Sequence, residues 1–294
     1  MSRIAHGLTG HDYLPDHLGL SSRDPGRASR PTATGKARAP RRAFRPSLQG
    51  LEDRCVPSTL VVTRGDDSLT QRGTLRWAVA NAQNNDTIVL TGDAYRTEVT
   101  LTQGELVLTQ QGLTIEGRFG VGKGSAGMPP ATISGDHLSR IFEVAGGAQV
   151  TLSNLAITDG NGLADNPAGN ATSDGQGGGV LVDPGAALTV SDSTLSGNSA
   201  YLGGVGGGGG GIFNYGTATV SGSTLSGNSA TYGGGIYIYA GSGINHRVAV
   251  TVSNSSTIFG NSASIGADVF NLGVLYLDSS SMIGILVGFP VKPI

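Results

Sequence analysis

The sequence predicts an all-β protein built as a parallel β-helix, in which the chain coils through short strands and stacks each turn on the last. Three observations favour this fold class. Glycine supplies 49 of 294 residues, well above its ordinary share, and charged residues make up only 14%. Similar segments recur about every 30 residues, a period typical of solenoids. Within the segments apolar and polar residues alternate, as in half-buried strands, without a helical period.

The repeats consist of two alternating pieces. The first piece begins at Thr151, Thr189, Thr219 and Thr251, each opening a Thr-Val/Leu-Ser tripeptide. The second is apolar and mostly rich in glycine, and it reads GGGVLVD, GGIFNYG, GGGIYIY and GADVFN. Stacked strands of a parallel sheet lie ~4.8 Å apart, so equivalent residues of successive repeats should form columns along the coil.

One predicted column consists of asparagines at a corner of each turn, where each amide can hydrogen-bond to the turn above and the turn below. Its members are Asn198, Asn228 and Asn261, with Asn161 as a looser fourth. The apolar column beside it inside the coil is Leu195, Leu225 and Ile258. We interpret the asparagines as a structural ladder rather than as a binding site.

The chain divides into four predicted parts. Residues 1–57 are a disordered basic leader, because residues 1–54 hold 10 Lys and Arg against 5 acids and few residues that could pack. Residues 58–145 form a cap and the first rungs, with a short capping helix over 73–83 whose apolar positions fall on one face. Residues 146–281 are the repeat-bearing rungs, and 282–294 are a C-terminal tail. The coil over 58–280 should have roughly eight to ten rungs.

Composition excludes several partners. Residues 55–294 hold 9 basic and 16 acidic residues, so the body has no basic face for nucleic acid. The late apolar run over 282–291 is ten residues long, too short to cross a membrane. A single cysteine, Cys55, rules out an intrachain disulfide.

The sequence shows three resemblances to known families. LSGNSATYGGGI (225–236), LSGNSA (195–200) and FGNSASIGADV (259–269) are similar to the polymorphic outer-membrane-protein repeat of bacterial surface proteins. Residues 60–90 resemble the N-terminal entry of secreted right-handed β-helix proteins, and 44–58 resemble a leader motif of planctomycete-type surface proteins. These resemblances imply a right-handed, pectin-lyase-like solenoid that is secreted or associated with the cell surface and outer membrane.

Two function classes follow. The first is a non-enzymatic surface module, adhesive or structural, whose ligand is an unidentified carbohydrate or protein and which needs no cofactor or metal. The alternative is a lyase or glycoside hydrolase acting on acidic polysaccharide, since pectate lyases and polygalacturonases resemble this fold. Its candidate residues would be Asp159, Asp165 and Asp174, which could hold Ca²⁺, and Arg247 as base. Because residues 141–294 contain only two cations, Arg247 and Lys292, the sequence favours the non-enzymatic module.

Overall fold

The strands of this protein form long parallel sheets that run the length of one coil. A computed structural model describes residues 56–118, 129–162, 175–201, 206–241 and 248–294. In these ranges every strand pair named below is parallel and in register, with one irregularity between β5 and β8. The predicted parallel β-helix is therefore confirmed. Residues 1–55 of the predicted leader lie outside the described residues.

Three long sheets and one short sheet make up the walls of the coil. Sheet 1 contains β1 (Thr59–Val62), β2 (Thr87–Leu90), β5 (Gln111–Gly117), β8 (Gln149–Ser153), β11 (Ala187–Ser191), β15 (Thr217–Ser221), β19 (Ala249–Ser253), β23 (Val274–Leu277) and β26 (Val291–Pro293). Sheet 2 contains β3 (Val99–Thr100), β6 (Ala131–Ser134), β9 (Leu155–Thr158), β12 (Thr194–Ser196), β16 (Thr224–Ser226), β20 (Thr257–Ile258) and β24 (Met282–Ile283). Sheet 3 contains β4 (Leu106–Leu108), β7 (Phe142–Val144), β10 (Val180–Val182), β14 (Ile212–Asn214), β18 (Ile236–Ile238), β22 (Val269–Asn271) and β25 (Leu286–Gly288). The short sheet 4 contains β13 (Ser199–Ala200), β17 (Ser229–Tyr232) and β21 (Ser262–Ile265).

From β2 onward the chain passes through sheet 1, sheet 2 and sheet 3 in that order, and then returns to sheet 1 one rung further along. The described residues contain nine strands in sheet 1 and seven each in sheets 2 and 3, which gives seven complete turns with one further strand of sheet 1 at each end. The nine strands of sheet 1 agree with the predicted eight to ten rungs. Helix α1 (Leu75–Asn81) connects β1 to β2.

Helix α1 caps the N-terminal end of the core. It begins after Thr74, whose side-chain oxygen accepts a hydrogen bond from the backbone nitrogen of Trp77 at 3.3 Å. Leu75, Ala78 and Val79 are buried in the main core. The predicted capping helix over 73–83 is thus confirmed with shorter bounds. A second helix of one turn, α2 (Asp93–Arg96), was not predicted.

The core is a set of apolar columns inside the coil. Along each strand of sheet 1 alternate side chains point inward, and the burial pattern alternates accordingly in β8, β11, β15 and β19. The predicted inner column of Leu195, Leu225 and Ile258 is confirmed: the three residues are paired in register and are fully buried. Stacking of like side chains therefore gives one continuous core.

Strands also continue through residues 282–294, where the sequence predicted a tail. Met282 and Ile283 pair with β20, and β25 and β26 pair with β22 and β23. The apolar run that is too short to cross a membrane is long enough to supply the three short strands of one more turn. The segment predicted as a C-terminal tail therefore continues the parallel sheets.

The glycine-rich piece of the repeat is required by the close approach of one turn to the next. Gly233 has φ +59°, a left-handed conformation that L side chains rarely adopt. A Cβ atom on Gly210 would lie 2.5 Å from the backbone oxygen of Gly234 in the next turn. These glycine-rich residues connect sheet 4 to sheet 3. Because they let adjacent turns approach closely, the outer side chains of sheet 3 can stack on one another.

Candidate functional site

The residues predicted for the enzyme alternative do not form a described cluster. Asp165, Asp174 and Arg247 lie outside the described residues. Asp159 follows β9 at a corner with φ +55°, and its Oδ1 lies 3.6 Å from Nε2 of His137. Both side chains are largely exposed. Within the described part of the chain, no group of three or more His, Cys, Asp or Glu side chains is placed to hold a metal ion.

The predicted asparagines Asn198, Asn228 and Asn261 are joined by hydrogen bonds inside the coil. Oδ1 of Asn228 accepts from the backbone nitrogen and the side-chain Nδ2 of Asn198, at 3.1 and 2.9 Å. Oδ1 of Asn261 accepts the same pair from Asn228, at 3.0 and 2.9 Å. Each Nδ2 also donates to a backbone oxygen of the preceding turn, for example Asn228 to Leu195 at 2.9 Å. The three residues are buried, so they hold turns together and are closed to a ligand.

An aspartate takes the next position in this column. Oδ1 of Asp268 accepts from the backbone nitrogen and Nδ2 of Asn261, at 3.0 and 2.8 Å, as an asparagine would. Its Oδ2 accepts from the backbone nitrogen of Ile285 at 2.7 Å. Residues 266–269 read GADV where residues 233–236 read GGGI. This difference places a side chain with two acceptor oxygens at the end of the asparagine column.

Asn161 does not belong to the asparagine column. It pairs with Ser199, one residue past Asn198, and its Nδ2 donates to the backbone oxygen of His137 at 3.0 Å. The preceding residue, Gly160, occupies the ladder position, and its backbone nitrogen donates to Oδ1 of Asn198 at 2.9 Å. The first and second repeats are spaced further apart than the later ones, so this shift of one residue is not evident from the sequence.

A second internal ladder, made of serines, was not predicted. Backbone nitrogens donate at 3.1 Å to the hydroxyl oxygen one turn further along, in a chain that runs from Leu155 through successive serines. Its members are Ser193, Ser223, Ser256 and Ser281. The first three are buried. The sequence signal was present, since Ser193, Ser223 and Ser256 each follow a Thr-Val-Ser tripeptide, but serine at a turn is too common to single out.

The outer surface of sheet 3 differs in chemistry from the rest of the coil. The middle residue of each strand points outward and stacks in register with the next. From β4 to β25 this outer column is Val107, Glu143, Leu181, Phe213, Tyr237, Phe270 and Val287. A second column begins two residues further along, with Asp183, Tyr215, Tyr239 and Leu272. Acidic residues thus stand at one end of this surface and aromatic residues follow them.

The acidic end is a buried group of charges that we call the carboxyl cluster: Glu105, Arg140, Glu143 and Asp183. Nη1 of Arg140 lies 2.6 Å from Oε2 of Glu105 and 3.3 Å from Oε2 of Glu143. Nε of Arg140 donates to the backbone oxygens of Gln176 and Gly177, at 2.9 and 3.2 Å. The side chains of Arg140 and Glu105 are completely buried. The cluster therefore holds three carboxyl groups around one guanidinium.

Burial and mutual repulsion change the protonation of this cluster. Burial raises the pKa of Glu105 to about 7, against the opposing attraction of Arg140. Burial also raises the pKa of Glu143, and the nearby Asp183 carboxylate adds to the effect. Oε1 of Glu105 has no hydrogen-bond partner, whereas Oε2 of both glutamates lies near Nη1 of Arg140. Burial therefore favours the protonated form of Glu105.

The other end of this surface is a patch of six rings that we call the aromatic face: Phe213, Tyr215, Tyr232, Tyr237, Tyr239 and Phe270. Ring centroids of neighbours lie 4.7 to 6.2 Å apart, and several pairs meet edge to face, as Tyr237 and Tyr239 do at 89°. Phe213 and Tyr237 form a buried centre with Leu181, and the remaining rings are half-buried around it. The patch is separate from the main core.

Two tyrosines of the aromatic face hold their protons more tightly than a free tyrosine does. Burial, with the neighbouring Tyr239 hydroxyl as the next cause, raises the pKa of Tyr237 to about 12. The same two causes raise the pKa of Tyr215, which also shares a hydrogen bond with Gln176. Tyr215 and Tyr237 therefore present neutral phenol hydroxyls, each able to donate and to accept a hydrogen bond.

Sequence reasoning missed both ends of this surface. The count of cations began at residue 141, so it excluded Arg140 by a single residue. A usable signal for the aromatic face was the pattern of the sheet 3 strands, in which VLV, IFN, IYI and VFN place an apolar residue at the middle, outward position. A run without alternation indicates a strand covered on both faces.

Comparisons with known proteins give this chain no family. No protein-family model, curated protein or solved structure matches it. In the part of the chain that the structure describes, no helix is long and apolar enough to cross a membrane.

Proposed function

We propose that this chain is a non-enzymatic module of the cell surface or the secreted fraction, in which the β-helix is a rigid scaffold for a binding surface. One observation carries the proposal. Glu105, the described carboxyl group whose pKa burial raises furthest, is enclosed by the coil together with Arg140 instead of being open to a substrate. Arg140 and Glu105 have no exposed side-chain surface, so they stabilise the rungs they join and meet no external ligand.

The geometry of the carboxyl cluster does not favour glycoside hydrolysis. A glycosidase places two carboxyl groups beside the glycosidic bond, where both must reach the substrate. The Glu105 side chain is completely buried, and Nη1 of Arg140 lies 2.6 Å from its Oε2 and 3.3 Å from Oε2 of Glu143. A glycosidic oxygen cannot reach a fully buried carboxyl group, so the raised pKa of Glu105 has a structural cause and needs no catalytic role.

A lyase acting on acidic polysaccharide is also disfavoured. That reaction needs a cation near the substrate carboxylate and a base that removes the α-proton. On the outer surface of sheet 3, the described cation is Arg140, which is buried and already bound to two carboxyl groups. Glu143 and Asp183 would repel a uronate ring approaching the same surface.

The location at the cell surface is supported by the sequence resemblances and by the chemistry of the other two sheets. The outward residues of sheet 1 include the threonines Thr151, Thr189, Thr219 and Thr251, all in register. Sheet 2 carries a similar column that includes Thr194, Thr224 and Thr257. Such uncharged polar walls suit a rod that stands in solvent and uses one surface for contact.

Two measurements test this function. Fractionation of the producing cells should place the protein in the secreted or outer-membrane fraction, and recovery in the cytoplasm would contradict the proposal. Purified full-length protein should release neither unsaturated products nor reducing ends from polygalacturonate or alginate, with or without Ca²⁺. Product formation that is lost in Arg247→Ala or Glu143→Gln would establish the enzyme instead.

A further inference from the structure

We propose that the aromatic face binds an uncharged polysaccharide chain laid along the axis of the coil. This inference rests on the proposed surface module and names its ligand class. Three features of the described residues carry it: the exposed parts of the rings, the direction in which they repeat, and the sign of the charges beside them.

The first feature is the chemistry of the rings. Tyr215, Tyr232, Tyr239 and Phe270 are half-buried, so part of each ring faces solvent. Aromatic surfaces pack against the C–H groups of sugar rings, and phenol hydroxyls exchange hydrogen bonds with sugar hydroxyls. Because the rings are packed against Phe213 and Tyr237, they are already ordered before a ligand binds, which lowers the entropic cost of binding.

The second feature is the direction of the repeat. The residues Phe213, Tyr237 and Phe270 follow one another along three successive rungs, as do Tyr215 and Tyr239 along two. Rungs repeat every ~4.8 Å, which is comparable to the length of one pyranose ring in an extended chain. A surface that repeats in this way suits a polymer of similar units better than it suits a compact ligand.

The third feature is charge. The aromatic face continues into Glu143 and Asp183, and the cation described beside them, Arg140, is enclosed. A polyuronate would meet these carboxyl groups without a compensating charge, whereas a neutral sugar can donate its hydroxyl protons to them. The surface therefore favours an uncharged chain over an acidic one.

Affinity electrophoresis tests this inference with soluble xylan, glucomannan and hydroxyethyl cellulose in the gel, and with polygalacturonate and polylysine as charged probes. Wild-type protein should be retarded by at least one uncharged polymer and not by polygalacturonate. Tyr239→Ala and Tyr215→Ala should each weaken retardation about tenfold. Tyr239→Phe keeps the ring and should lose much less. Tyr276→Ala, on the outer surface of sheet 1, is the matched control and should bind as wild type does.

Several outcomes would overturn the inference: no retardation by any uncharged polymer, equal retardation by polygalacturonate, retardation by polylysine alone, or binding that survives both alanine substitutions. Thermal unfolding of each variant separates lost binding from lost folding, and Tyr239→Phe provides a test with minimal change in packing. Failure here leaves the surface module intact, because that proposal depends on location and on the absence of released product.

Discussion

Replacing Glu105 with glutamine should remove a pH dependence of stability that the carboxyl cluster imposes on the coil. The Glu105 side chain is fully buried, and its Oε2 is 2.6 Å from Nη1 of Arg140. Glutamine is the uncharged analogue of the protonated side chain. Its oxygen can still accept a hydrogen bond from Arg140.

The size of the effect follows from the difference between the folded and unfolded pKa of Glu105. In the unfolded chain the carboxyl has its ordinary pKa of 4.5, and in the folded protein burial raises it to about 7. The folded state therefore holds the proton more tightly, and the free energy of unfolding is greatest below pH 4.5. It falls as pH rises from 4.5 to 7, by roughly 3 kcal/mol at 1.36 kcal/mol per pKa unit. The raised pKa of Glu143 acts in the same direction.

Urea unfolding, followed by far-UV circular dichroism between pH 4.5 and 8, measures this difference. From pH 5 to pH 8, the stability of Glu105→Gln relative to wild type should grow by up to roughly 3 kcal/mol. Glu98→Gln is the matched control, because Glu98 is exposed, and it should preserve the wild-type slope. A wild-type stability that is flat or rising across this window, or a slope unchanged in Glu105→Gln, would refute the reasoning.

Three further substitutions test the contacts between turns by thermal or urea unfolding. Asn228→Leu removes the side-chain partner of the Asn198 backbone nitrogen and of the Leu195 backbone oxygen and should cost about 1–3 kcal/mol, and no loss would mean that the asparagine contributes no net stability. Asp268→Asn turns an N–H group toward the Ile285 amide and should cost about 1–3 kcal/mol, whereas a stable variant would show that the aspartate's second oxygen is dispensable. Gly210→Ala places a methyl group 2.5 Å from the backbone oxygen of Gly234 and should cost about 1–3 kcal/mol or block folding; wild-type stability would show that the turns can separate.

The fold could be predicted because the repeat occurs several times in the sequence. Alternation identifies strands, the recurring tripeptide aligns them, and parallel stacking then places Leu195 above Leu225 without further information. The prediction was incomplete where the repeat has no copy. Helix α2 was not predicted, and residues 282–294 lack the Gly-Asn-Ser motif, although they pair as strands.

The candidate site could not be predicted, because its residues are distant in sequence and form no recognisable motif. Glu105 and Arg140 are 35 residues apart and meet only because one turn stacks on the next. Burial raises the pKa of Glu105, and no residue pattern predicts which isolated charged residues will be buried. The aromatic residues are few in the whole sequence, at 5%, and only the register of sheet 3, with Tyr232 from sheet 4 beside it, gathers six of them on one surface.

The inner ladders and the outer surface are therefore linked through strand register. A strand that slips by one residue exchanges its inward and outward side chains, so Tyr237 would point into the core and Ile236 toward solvent. The asparagine ladder opposes such a slip, because Asn228 finds both of its partners only when adjacent turns align. Asn228 follows the sheet 2 strand, so its alignment determines which residues face inward when the chain passes through the glycine-rich residues into sheet 3. The buried asparagines, which contact no ligand, thus determine which side chains reach the surface where binding is proposed.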